Sequence, residues 1–201
     1  MKKLLLTGFE PFLSNPINPT MDIIKALDGQ VFGQFEVIGR VLSVDFKKGP
    51  EQFKKLLSDI QPEMIVSLGL AAGITKISPE RVAINIKDGE KDNNGVAFED
   101  GPIYEGGDVA YFSTLPIRSI VNRLHAAGYP ATISNSAGTY LCNNIMYEGL
   151  RYANSIPNVI SGFIHIPASF DLAIANGRIP GWSSRDLLES IKMCLEECVN
   201  K

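Results

Sequence analysis

Ala131-Thr132-Ile133-Ser134-Asn135-Ser136-Ala137-Gly138-Thr139-Tyr140-Leu141-Cys142-Asn143-Asn144 is the stretch that decides the fold. Ala131–Ser134 is short and contains two β-branched residues, so it reads as a strand. From Asn143 to Ala153, with apolar residues at Leu141, Ile145, Leu150 and Ala153, the chain reads as a helix. A run of small residues joins the two and ends on one cysteine. Strand followed by helix is the repeating unit of an α/β protein, and Cys142 stands where the helix begins. Unpaired N–H groups and the positive end of the helix dipole favour a thiolate there. Free cysteine is also a readily buried side chain, so the stretch alone admits a nucleophile or a packing residue.

The same alternation extends in both directions. Upstream, Lys3–Thr7 is an apolar strand ended by Gly8, and Phe9–Thr20 is a loop stiffened by Pro11, Pro16 and Pro19. Thr20 is the expected N-cap of a helix through Leu27. Phe35–Val44 predicts a strand; Gly49-Pro50 opens a helix carrying Phe53, Leu56, Leu57 and Ile60, with Pro62 beyond its end. Met64–Leu68 is a further apolar strand, closed by Gly69-Leu70-Ala71-Ala72-Gly73, which lacks the dinucleotide-binding glycine pattern. Arg81–Ile86 predicts another strand. Lys87–Gly101 is rich in Asp, Asn and Gly without calcium-loop spacing, which predicts a mobile, solvated loop. Pro116 starts a helix with Ile117, Ile120, Val121 and Leu124 on one stripe, stopped by Gly128.

Downstream, Val159–Ile166 is a strand running into Pro167, and Ala168–Trp182 is expected to be irregular. Ser183-Ser184-Arg185-Asp186 caps a last helix with an apolar stripe through Leu187, Leu188, Ile191, Cys194, Leu195, Cys198 and Val199. Strands alternating with amphipathic helices predict a mainly parallel sheet covered on both faces. No linker or repeat divides the chain, so residues 1–201 form one expected domain.

Composition narrows the function. Of the 201 residues 45% are hydrophobic and 20% charged, ordinary for a globular protein, and the net charge of −3 leaves no basic surplus for nucleic acid or an anionic membrane. No window is apolar enough to span a bilayer. The opening apolar run stops at Thr7-Gly8 and Glu10 follows, so a secretory leader is not expected. Three cysteines make no disulfide framework, which points to a reduced, cytoplasmic protein. Cys194 and Cys198 lie one helical turn apart on the apolar stripe, where core or subunit packing is the simplest role. No second ligand pair and no HExxH accompanies them, so no metal is expected.

Two histidines are present. His125 lies near the end of a helix, where a solvated or dipole-facing role suffices. His165 interrupts the apolar strand Gly162-Phe163-Ile164-His165-Ile166-Pro167 close to its C-terminal end, the edge at which open α/β sheets bind ligands. A buried, satisfied core histidine is the alternative. A thiol nucleophile needs a base and a base needs an orienting group. Glu80, in Ser78-Pro79-Glu80-Arg81, is one candidate carboxylate, with a salt bridge to a neighbouring arginine as its plain alternative.

With these residues assembled, the chain resembles the type I pyroglutamyl peptidases (pyrrolidone-carboxylate peptidases), a family of cysteine peptidases. The matching segments are Thr7-Gly8-Phe9-Glu10-Pro11-Phe12 with Asn18-Pro19-Thr20, Pro79–Asn85, Ser134–Asn143 and Gly162–Pro167, in family order over nearly the whole chain. The resemblance implies Cys142 as nucleophile, His165 as base and acid, and Glu80 as orienting carboxylate. It implies that Phe9 and Phe12 sandwich a pyroglutamyl ring, that Asn18 and the Leu70 backbone lie near its polar edge, and that Tyr140 and Leu141 close the pocket. An α/β/α sandwich of the phosphorylase/hydrolase-like kind, cytoplasmic, without cofactor and homotetrameric, acting on peptides with N-terminal pyroglutamate, is implied with it.

Three segments depart from the family pattern. Ile74 stands where an arginine is common, Asp88-Gly89-Glu90-Lys91-Asp92-Asn93 is a shortened and more charged loop, and Ala168-Ser169-Phe170-Asp171 replaces an aromatic and Pro-Glu-Gln continuation. Two other classes compete with the peptidase. A non-catalytic family member binding a small lactam- or peptide-like ligand needs no reactive cysteine. A nucleoside-phosphorylase-like enzyme needs a phosphate cradle, and no strong Gly-rich candidate is present.

Overall fold

The computed structural model describes residues 1–12 and 15–200. In chain order its elements begin with β1 (Lys2–Phe9), α1 (Pro19–Leu27), β2 (Val31–Phe32), β3 (Phe35–Leu42), α2 (Lys48–Ile60), β4 (Met64–Leu70), β5 (Ser78–Pro79) and β6 (Val82–Ile84). They continue with β7 (Ala110–Phe112), α3 (Ile117–Ala126), α4 (Leu141–Ser155), β8 (Ile160–Ile166), β9 (Ala168–Ser169), α5 (Phe170–Asn176), β10 (Gly181–Trp182) and α6 (Ser184–Val199).

The most apolar runs become the centre of one sheet, in the order β2-β3-β1-β4-β8-β5. β3, β1, β4 and β8 are mutually parallel, while the two-residue strands β2 and β5 pair antiparallel at the edges. Parallel strands need both faces covered, which is why they read as continuous apolar runs. Leu4, Leu6, Val66, Leu68, Ile164 and Ile166 join one core with residues of α1, α3 and α6. Leu5, Ile65 and Phe163 join the other with Phe53 and Leu57 of α2 and Leu141, Ile145 and Leu150 of α4. The expected mainly parallel α/β/α architecture is therefore observed.

Several local expectations are corrected. β4 continues two residues beyond Leu68, carrying Gly69 and Leu70 into the sheet. Ala131–Ser134 forms two single parallel bridges, Ile77↔Ala131 and Glu80↔Ser134, instead of a continuous strand. The cause is Pro79, which lies between them and has no N–H to give the ladder. Asn18, not Thr20, caps α1: its Oδ1 accepts the Thr20 N–H at 3.2 Å, and Pro19 takes the first helical turn. Thr20 Oγ1 instead accepts the Phe9 N–H at 3.0 Å. The rigid loop expected over Phe9–Thr20 includes Leu13 and Ser14, which lie outside the described residues.

Residues 87–101 are not simply solvated. Asp92 is buried, and its two oxygens accept N–H groups from Phe46, Asn94 and Val96 at 2.9 Å each. The stretch expected to be irregular holds α5, capped by Ser169 at one end and by Gly177, at φ 73°, at the other. α4 is fixed to α2 by the buried Glu148, which meets Lys54 at 2.8 Å and Arg151 at 2.9 Å. Cys194 and Cys198 are buried in the α6 core, as the apolar stripe predicts.

Candidate active site

Sheet pairing brings Glu80 and His165 together. β5 runs antiparallel to β8 with Ser78 opposite His165 and Pro79 opposite Ile164, and the Glu80 N–H donates to the Phe163 carbonyl at 2.9 Å. Glu80 and His165 are then diagonal neighbours across the pair, within reach for long side chains. Glu80 Oε1 and His165 Nδ1 are 2.7 Å apart, with the two side chains only 2% and 12% exposed. Glu80 thus pairs with the histidine, not with Arg81, whose Nε donates to Asn135.

Cys142 is the second residue of α4, so its backbone N–H is among those without an intrahelical acceptor. With Nδ1 engaged by Glu80, Nε2 is the His165 nitrogen left for the hydrogen bond to the Cys142 side chain. Burial pulls the His165 pKa down. The charge of Cys142 and the hydrogen bond to it push it up, with help from the hydrogen bond and charge of Glu80, and the result is a rise from 6.5 to about 10. His165 therefore holds a proton at neutral pH.

The thiol occupies space that a glycine leaves open. Gly69 is the register partner of His165, and a Cβ added there would lie 2.7 Å from the Phe163 ring and 3.0 Å from Cys142 Sγ. Phe163 in turn packs its ring 4.9 Å from the His165 ring and 6.4 Å from that of Phe9. Asn143, the next residue after the cysteine, is fully buried. Its amide accepts from Ile84 N–H at 3.0 Å and donates to the Ile84 and Ile86 carbonyls at 2.9 and 2.8 Å, anchoring the start of α4 to β6.

Beside the sulfur lies a narrow apolar cavity lined by Phe9, Phe12, Val44, Leu70, Tyr140, Leu141 and Cys142. Its free volume is about 10 Å³, the space of about one water. Among the described residues no Asp, Glu, Lys or Arg side chain lines it. The Phe12 and Tyr140 rings are 6.5 Å apart, and the Tyr140 hydroxyl donates to the Lys91 carbonyl at 3.2 Å. Burial, followed by the charges of Asp92, Cys142 and Glu90, raises the Tyr140 pKa to about 12, so it remains a neutral donor. A roomier cleft of about 260 Å³ between α1 and α6 contains none of these groups.

Eight of the nine residues expected at a site converge here. Asn18 does not line the cavity: its amide donates to the Glu10 carbonyl and accepts from Thr20, so it holds the Phe9–Phe12 arm from behind. Val44, Gly69, Phe163 and Asn143 belong to the site without having been singled out for it. Val44 and Gly69 gave a usable signal only in that each follows or ends an apolar strand, the edge where α/β sheets place ligands. His125 stands apart, bonded through Nε2 to the Ala131 carbonyl at 2.8 Å.

Comparison with known proteins gives a consistent result. A family model described as pyroglutamyl peptidase matches residues 2–201. The chain is 59% identical to the pyrrolidone-carboxylate peptidase of Lysinibacillus sphaericus over 99% of its own length and 98% of the relative's. It is 46% identical to that of Pyrococcus furiosus over 96% of both chains. The solved pyrrolidone carboxyl peptidase of Thermococcus litoralis superposes with a TM-score of 0.95 at 38% identity, over 100% of this chain and 94% of that one.

Proposed function

The chain belongs to the pyroglutamyl peptidase family, and on that premise we propose that it removes N-terminal pyroglutamyl residues from peptides as a cysteine peptidase. Cys142 is the nucleophile, His165 the acid and base, and Glu80 the carboxylate that orients the imidazole. One observation carries this reading: a small apolar cavity opens directly onto a thiol whose histidine partner holds a proton.

Cys142 Sγ attacks the carbonyl carbon that joins the pyroglutamyl ring to the next residue. Backbone N–H groups at the start of α4 receive the developing oxyanion. His165 gives its Nε2 proton to the amide nitrogen, the C–N bond breaks and the shortened peptide leaves with a free amine. Neutral His165 then takes a proton from water, which attacks the thioester. The C–S bond breaks, releasing pyroglutamate and restoring the thiolate–imidazolium pair.

The lining of the cavity supports the substrate class. A cyclised N-terminal residue has no ammonium group, and its flat faces match the apolar walls of Phe9, Phe12 and Tyr140, which must part to admit it, with Leu70 and Leu141 completing the lining. A free N-terminal ammonium entering the same space would lose its water with no carboxylate among the described lining residues to pair with. Asn18 serves the pocket indirectly, by fixing the aromatic arm.

The same reading takes the enzyme as cytoplasmic and homotetrameric. Three cysteines outside any disulfide support the first. Two separate exposed apolar pairs support the second: Val109 and Phe112 at β7, and Phe170 and Ile174 on α5. Among the described residues no helix is long and apolar enough to cross a membrane.

Hydrolysis of a chromogenic pyroglutamyl amide, run beside its prolyl and glutamyl analogues, tests the function. Turnover of the pyroglutamyl amide alone is expected, abolished by Cys142→Ala. Normal release of pyroglutamate by that variant would overturn the assignment of Cys142.

A further inference from the structure

We propose that Asn93 is a positioning residue that clamps together the walls of the substrate cavity; this rests on the peptidase reading above. The cavity walls come from separate segments: the arm carrying Phe9 and Phe12, Val44 beyond the end of β3, Leu70 at the end of β4, and Tyr140–Cys142 at the start of α4. Asn93 bridges two of them. Its backbone N–H donates to the Val44 carbonyl at 3.0 Å, and its side-chain Nδ2 donates to the Pro11 carbonyl at 3.0 Å and to Glu10 Oε1 at 3.2 Å. Glu10 Oε1 also accepts the Val44 N–H at 3.0 Å. Glu10, Val44 and Asn93 therefore close a ring of hydrogen bonds in which both backbone groups of a cavity-lining residue are used.

Two further bonds tie this ring to the rest of the mouth. Lys91, two residues earlier, accepts the Tyr140 hydroxyl at 3.2 Å. Asp92, between them, fixes the segment to the Phe46 N–H at 2.9 Å. The segment is the shortened, charged loop. Cys142, His165 and Glu80 stand on α4, β8 and the end of β5, outside the ring. Loosening Asn93 should then weaken the grip on the ring of the substrate and leave the reacting groups in place.

Steady-state kinetics on a pyroglutamyl amide, with iodoacetamide alkylation of Cys142 as a second readout, test this. Asn93→Ala should raise KM roughly fivefold, the scale of one lost hydrogen bond, while kcat and the alkylation rate stay within about twofold. Asn93→Asp should raise KM further, because its carboxylate faces Glu10. Adding Glu10→Gln to Asn93→Asp should recover part of that loss, since a glutamine can donate to the new carboxylate. An unchanged KM in both single variants overturns the proposal, as does a parallel fall of kcat and alkylation rate, or no recovery in the double variant. If the unaltered protein cleaves no pyroglutamyl amide, the peptidase reading fails separately. The clamp is then judged by hydrogen exchange at the Val44 amide: faster exchange in Asn93→Ala supports it and unchanged exchange overturns it.

Discussion

His165 shows how much of this site is settled by single contacts. A histidine at the end of an apolar strand could be a ligand, a base or a satisfied core residue. The 2.7 Å bond from Nδ1 to Glu80 fixes the orientation of its ring and leaves Nε2 for Cys142. Because the folded pKa of about 10 exceeds the usual 6.5, His165 itself holds more proton in the native state than in the unfolded chain between those values. The stabilisation from this group is complete below about pH 6.5 and is lost as pH rises through about 10. In the proposed mechanism activity follows the same proton, since the imidazolium protonates the leaving amine. Glu80→Gln keeps an acceptor for Nδ1 but removes the charge, so the alkaline limb of the kcat/KM profile should move toward lower pH. An unmoved limb would mean that Glu80 does not hold the proton on His165. Glu80 Oε2 is buried with no partner among the described residues. The amide donor placed there should cost about 1–3 kcal/mol of stability, read as a lower melting temperature. Residue types were legible in the sequence at Cys142 and His165. The pairing of Glu80 with His165, instead of with Arg81 beside it in the chain, came from the register of β5 against β8.

At the scale of elements, helix starts carry both structure and function. Asn18 caps α1 and at the same time holds the Glu10 carbonyl, so one side chain connects the helix to the aromatic arm of the cavity. Asn18→Ala should cost about 1 kcal/mol from the lost cap, a fall of roughly 2–4 °C in melting temperature for a chain of this size. The same variant should raise KM for the pyroglutamyl amide, because Phe9 and Phe12 lose their backing. A melting shift with no change in KM would confine Asn18 to capping. Long elements were readable from periodicity: β1, β3, α2, β4, α3, α4, β8 and α6 all lie where the apolar pattern puts them. Shorter ones were not. α5 has seven residues, too few for a helical stripe to declare itself, although Ser169 and Gly177 are its cap signals. The loop around Asp92 looked solvated because its composition is polar, and no composition shows that a carboxylate is collecting three N–H groups.

For the whole molecule, the sheet gathers the cavity at the carboxyl ends of its parallel strands, where Phe9, Leu70 and His165 emerge side by side. Outside that edge, Val109 and Phe112 are 86% and 69% exposed at β7, far from Ile174 on α5 in the chain. A dihedral tetramer buries two kinds of face, so the assembly should sediment at four times the 21.9 kDa chain mass. Phe112→Asp should reduce it to a smaller species, and a monomeric unaltered protein would remove the tetramer from the proposal. Sequence alone determined the α/β class, the apolar strands of the central sheet, Cys142 and His165 as candidate residues and, through its likeness to one family, the chemistry. These rest on residue type and on patterns a few residues long, which a linear reading detects. Only the tertiary structure decided which carboxylate faces His165, that Gly69 leaves room for the Cys142 sulfur, that Val44 is a cavity wall, and that Asn93 joins Glu10 to Val44. Each of these depends on residues from distant segments meeting in space, and that meeting is set by strand register and packing.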